Sequence, residues 1–167
     1  MHMPPELIAR LTKSAIDIRG VWSALLSPCC DLQDLELVVT SSGNREAEII
    51  SSINSASIRK VTLVCWWSIP SLSWRTVNWG AFNEPLCRLV NRLGPTRELA
   101  VEILIVDAGG TSRYGDIDPD TIVSPLVAFR EKGRIRLAYV GRDGRKYIVY
   151  PLDPCCPNPP VSVCRIK

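Results

Sequence analysis

The chain holds one histidine, His2, and seven cysteines, at positions 29, 30, 65, 87, 155, 156 and 164. A serine or cysteine nucleophile needs a fixed base beside it. His2 stands at a terminus, where side chains are loosely held, so nucleophilic hydrolysis is not expected. Cys29-Cys30 and Cys155-Cys156 are adjacent pairs and no C-x-x-C occurs, which removes the tetrahedral zinc spacing. Cys65 and Cys87 lie in apolar surroundings and read as small buried residues. Asp107, Asp116, Asp118 and Asp120 form an acidic cluster, but their spacing lacks the calcium loop's ligand pattern and closing Glu. Asp118 before Pro119 reads instead as a helix cap, and Asp120 as a first-turn acid. No catalytic residue, cofactor or metal site is assigned.

Ile105-Val106-Asp107-Ala108-Gly109-Gly110-Thr111 resembles the phosphate loop of sugar kinases and actin-like ATPases. The resemblance implies an Asp delivered by a strand toward magnesium, with the Gly-Gly-Thr amides nesting phosphate oxygens. In that family the loop joins two strands of a hairpin. Here Arg113-Tyr114-Gly115-Asp116 follows, which is not a strand pattern, and a second phosphate loop is missing. A strand-to-helix loop that uses glycine for tight geometry is the plainer reading. The alternative function is a small doubly wound α/β domain that binds a phosphate or nucleotide at Asp107–Thr111. A higher melting temperature with ATP and magnesium would mark it.

Any such residues must be carried by a single domain, because 167 residues leave little for a second. The net charge is +3 and the basic residues are scattered, so the dense stripe of a nucleic-acid surface is absent. The longest uncharged run, Val61 to Trp74, is interrupted by Ser68, Pro70, Ser71 and Ser73 and does not make a membrane span. No charged start leads into an apolar stretch of the secretory type. Free thiols in a reducing, intracellular compartment are the expectation.

Leu32-x-x-Leu35-x-Leu37 and Ile58-x-x-Val61-x-Leu63 share one spacing of apolar residues. Their offset falls in the roughly 20–29 residue period of leucine-rich repeats, where each such stretch is one short strand per coil. A strand of that kind buries its apolar face only between neighbouring coils. Further strands are predicted over 99–106 and 134–140, the former nearly continuous in apolar residues and so covered on both faces. Asp143-Gly144 turns the chain into a hairpin strand at 146–150. Between them the periodicity predicts helices at 46–53, at Phe82 to Leu93 with Asn78 or Asn83 as cap, and from Pro119 to Phe129 closed by Gly133. Two more short helices are predicted within 6–26. The expected fold is α/β, a leucine-rich-repeat-like solenoid of irregular coils over residues 1–150. A Pro-rich, irregular tail follows over 151–167.

Such solenoids bind proteins. Trp66, Trp67, Trp74 and Trp79 crowd into 14 residues. Trp66 and Trp79 border regular elements and are expected to pack, leaving Trp67 and Trp74 as exposed anchors. With Glu36 and Arg59 they make up the predicted partner-binding set.

Strands of the form Leu-x-x-Leu-x-Leu alternating with helices resemble the leucine-rich-repeat-like region of F-box proteins from mushroom-forming (basidiomycete) fungi. Leu72-Ser-Trp74 before Asn78-Trp79, Leu86-Cys-Arg-Leu89, and Phe129-Arg-Glu-Lys-Gly133 ahead of a strand carry the likeness across about residues 20 to 150. It implies repeats that hold a substrate protein and an N-terminal F-box that binds a ubiquitin-ligase adaptor. Met3-Pro4-Pro5-Glu6-Leu7-Ile8 is similar to the opening of an F-box, and Val21-Trp22-Ser23-Ala24-Leu25 to its last helix. The stretch between them is too short for the whole motif.

Overall fold

Strand-forming segments of alternating or continuous apolar character assemble into one sheet that keeps the order of the sequence. In the computed structural model, which describes residues 32–39, 42–67, 74–94, 97–107 and 116–151, β1 (Asp34–Val38), β2 (Lys60–Trp66), β3 (Ala100–Val106) and β4 (Arg134–Val140) run parallel. A last strand, β5 (Lys146–Tyr150), returns antiparallel to β4. Leu35 lies opposite Val61 and Leu37 opposite Leu63. The two matching stretches of sequence are therefore neighbours in space, on adjacent parallel strands. The step then lengthens, since Lys60 meets Ala100 and Ala100 meets Arg134. The fold is thus α/β with a mostly parallel five-stranded sheet.

Each parallel crossover carries helix: α1 (Asn44–Ser52), α2 (Asn83–Leu93), and the pair α3 (Pro119–Val123) and α4 (Val127–Arg130). Because every crossover advances one strand in the same direction, the usual right-handed connection places all of them on one side. The burial pattern agrees. The core takes the odd-numbered strand residues Leu35, Leu37, Val61, Leu63, Cys65, Val101, Ile103, Ile105, Ile135 and Leu137, against Ile50, Phe82, Leu86, Leu89 and Phe129 from the helical side. The even-numbered positions Val38, Val64, Leu104, Val106 and Val140 lie on the other face and outside that core. The continuous apolar sequence of β3 predicts cover on both faces, yet Leu104 and Val106 are only half-buried.

The local chemistry explains the helices and corrects two expectations. Asp118 caps α3 as predicted, accepting from the Asp120 N–H at 3.1 Å and the Thr121 hydroxyl at 2.8 Å, with Pro119 as the first helical residue. The run to Phe129 is not one helix. Pro125 has no N–H to give and the chain tightens into a 3-10 turn over Ser124–Leu126 before α4. Neither Asn78 nor Asn83 caps α2 through its side chain. Asn83 accepts instead from the Phe129 N–H at 3.1 Å and ties α2 to α4. Arg92 of α2 donates to the Ile53 carbonyl just past α1, so the helices form one side-by-side layer.

Two glycines are set by proximity. Gly43, with φ of 72°, leads into α1, and a Cβ there would sit 2.8 Å from the Phe82 ring. Gly133 ends the last helical stretch without a left-handed conformation. Its N–H donates to the Phe129 carbonyl at 2.8 Å, and a Cβ would meet the Phe129 ring at 2.5 Å and the Leu99 carbonyl at 3.0 Å. The predicted helices within 6–26, the F-box-like stretches and the tail beyond Pro151 lie outside the described residues.

Gly133→Ala is expected to cost about 1–3 kcal/mol, as overpacking does. Gly80→Ala, whose nearest neighbour would stand at 3.5 Å, should stay within about 0.5 kcal/mol. Urea denaturation of both variants beside the parent checks the difference.

Candidate functional site

The sheet face opposite the helices, helix-free among the described residues, lies outside the core cluster, and its rows follow from the register. Asp34, Lys60, Ala100 and Arg134 make one row; Glu36, Thr62, Glu102 and Arg136 the next; Val38, Val64, Leu104 and Ala138 a third. Trp66, Val106 and Val140 close the C-terminal end. The face is acidic along β1, basic along β4, and apolar between them toward the C-terminal ends of the strands. Trp66 is 45% exposed and, with the half-buried Val106 and Val140, makes the apolar end of this face.

Glu102 sits at the centre of this face and is 5% exposed. Lys60 approaches one carboxylate oxygen at 2.6 Å and Lys146, from β5, hydrogen-bonds the other. Burial alone would push the Glu102 carboxyl up. The hydrogen bonds from Lys146 and Lys60 outweigh it and hold the group below the usual carboxylate range. A buried carboxylate is tolerable only with such pairing. Its signal in the sequence was the one charged residue inside the apolar run of β3. Lys60 is reached only through the register of β2 beside β3, and Lys146 only because β5 folds back beside β4.

The structure redistributes the predicted partner-binding set. Glu36 is exposed on the helix-free face, and Arg59 is exposed just before β2. Trp67 is half-buried and packs against the core, edge-on to Trp74 with ring centroids 6.1 Å apart. Trp74, expected as an exposed anchor, is 2% exposed and belongs to the core. The reason is a local aromatic cluster. Trp79 donates its indole N–H to the Trp74 carbonyl at 3.0 Å, and the Arg75 guanidinium lies 5.1 Å from the Trp74 ring centre. Trp79 is buried as expected, whereas Trp66 reverses its expectation because its even-numbered position in β2 points it away from the helices. The four tryptophans therefore do not form one exposed anchor.

Asp107 follows β3 at the C-terminal edge, the position where open α/β sheets hold ligands. It is buried and accepts from the Tyr139 hydroxyl at 3.1 Å. Burial first, then this hydrogen bond, pushes the Tyr139 hydroxyl up to about 12. Asp107 thereby joins β3 to β4, and residues 108–111 of the phosphate-loop-like stretch lie outside the described residues. A doubly wound sheet has helices on both faces, while the described helices line one. Cys65, deep under the sheet, has its thiol pushed up to about 12 by burial and by Glu46, so it stays protonated and unreactive. Among the described residues no group of three or more His, Cys, Asp or Glu is placed to hold a metal, and no helix is long and apolar enough to cross a membrane.

No protein-family model, curated protein or solved structure matches this chain.

Two outcomes test this geometry. The unfolded state of Glu102 binds a proton before the folded state does, so its contribution is whole above about pH 4.3 and fades below it. Glu102→Gln should flatten the fall in urea midpoint between about pH 6 and about pH 3. Trp74→Ala should cost about 3–5 kcal/mol, and Trp66→Ala less than about 1 kcal/mol, by thermal and urea unfolding.

Proposed function

We propose that this chain is a non-enzymatic protein-binding module built of leucine-rich-repeat-like coils, the substrate-holding part of an F-box-type ubiquitin ligase receptor. The observation that carries the reading is the one-sided sheet. Parallel strands follow each other as neighbours, with Leu35 against Val61 and Leu37 against Leu63. All described helices take one face, and none of them lies on the other. In stacked-coil proteins the strand face is the extended surface that recognises other proteins.

The chemistry of that face supports protein recognition over catalysis. Val38, Leu104, Val106 and Val140, half-buried, and Trp66, exposed, give an apolar patch around the buried Val64, and Asp34 and Glu36 on one side and Arg134 and Arg136 on the other give a charged rim. An apolar core with an aromatic anchor inside a polar rim is the anatomy of a binding interface. Glu36 keeps its predicted role here, Trp66 takes over the role expected of Trp74, and Arg59 stands at the margin. The residues with the strongest chemical character, Cys65, Asp107 and Glu102, are held by burial or by partners within the fold.

Leu104→Asp and Trp66→Ala should each weaken binding of a purified partner, first identified by affinity purification, by about tenfold. Arg142→Ser, in the β4–β5 turn, should leave it unchanged. Equal binding by all three variants, with unfolding midpoints near the parent's, would remove the helix-free face from the interaction.

A further inference from the structure

A second feature lies at the opposite end of the strands from Trp66. An open cleft of about 840 Å³ runs around the N-terminal edge of β3 and β4, between the helix-free face and the end of α4. Lys60, Arg130, Arg134 and Arg136 line it with Glu102, and Val127, 60% exposed, supplies an aliphatic wall. With Glu131 also on the lining, four cations face two carboxylates.

The pairing inside the cleft decides what it can hold. Glu102 already serves Lys60 and Lys146. Arg136 is the direct cross-strand neighbour of Glu102, yet the carboxylate is engaged on both oxygens and Arg136 has no ion-pair partner among the described residues. The same holds for Arg130. Arg134 is tied to Glu98 at 2.7 Å. Two guanidinium groups are thus left at a cleft whose internal carboxylate is spent, and guanidinium binds carboxylate in a two-point, planar fashion.

We infer that this cleft takes an acidic peptide segment of the partner protein, with carboxylates on Arg130 and Arg136 and an aliphatic residue against Val127. The inference rests on the reading of the chain as a protein-binding module and names the chemistry of what it binds. Nucleic acid fits less well. Glu98 and Glu131 stand beside the arginines, and the lining has few aromatic faces on which bases stack. A small free anion would leave the aliphatic wall and most of the length of the cleft without contacts.

The test is fluorescence anisotropy of a dye-labelled oligo-glutamate peptide carrying one leucine, with the full chain. The peptide should bind, and should weaken as salt rises from about 50 mM to about 300 mM. The double variant Arg130→Ser with Arg136→Ser should bind about tenfold more weakly. Arg45→Ser with Arg142→Ser removes the same charge from exposed positions outside the cleft and should bind as the parent does. Replacing the leucine by glycine should also weaken binding, which inorganic phosphate or free glutamate as competitors should not match. No binding by the parent, equal losses in the two double variants, or tighter binding of a single-stranded DNA oligomer would each overturn the inference. In those cases loss of the purified partner by Leu104→Asp would still stand for the helix-free face, so the two readings fail separately.

Discussion

Everything in this fold depends on the uniform direction of its crossovers. A strand that always hands the chain to its next neighbour, through a connection of one hand, can place helices on one side only. The odd-numbered residues of β1 to β4 then share a single dry layer with α1, α2 and α4, and the even-numbered residues form the opposite face, part buried and part exposed. Asn83 at the Phe129 N–H and Arg92 at the Ile53 carbonyl fasten the helices to one another. They keep the layer continuous although the crossovers differ in length.

The helix-free surface shows how charge is handled when no helix covers it. Glu102 gives up most of its hydration and is compensated by lysines from two different strands, one parallel and one antiparallel. That arrangement exists only because β5 folds back beside β4. The hairpin is therefore more than an end to the sheet. It delivers Lys146 to a carboxylate that Lys60 alone would leave half-satisfied.

The fold was readable where local signals and packing agree. The spacing of Leu35, Leu37, Val61 and Leu63, the Asp118-Pro119 start of α3 and the Asp143-Gly144 turn each specify local structure with little help from elsewhere. The single helix expected from Pro119 to Phe129 failed at Pro125, where a missing N–H outweighs periodicity. The site was less legible, because exposure depends on which face a residue takes. Trp66 and Trp67 are adjacent and point to opposite faces, so a single step in register reverses their roles. Trp74 is hidden by its packing in the core, edge-on to Trp67, which no spacing rule reveals. The three-part contact around Glu102 joins β2, β3 and β5 and needs the sheet order before it can be seen.

The two margins of the sheet are not equivalent. At β5 the outermost strand runs against its neighbours, and pairing with β4 is interrupted by a register shift between Leu137 and Ala138. The outer edge at β5 therefore faces the opposite way to the four parallel strands. At β1 the strand runs with the rest and, among the described residues, has β2 on one flank only. Asp34 and Glu36 give it the acidic trim that discourages casual strand pairing. The sheet therefore ends differently at its two margins, in a reversed and irregular strand at β5 and in a co-directional, acidic strand at β1.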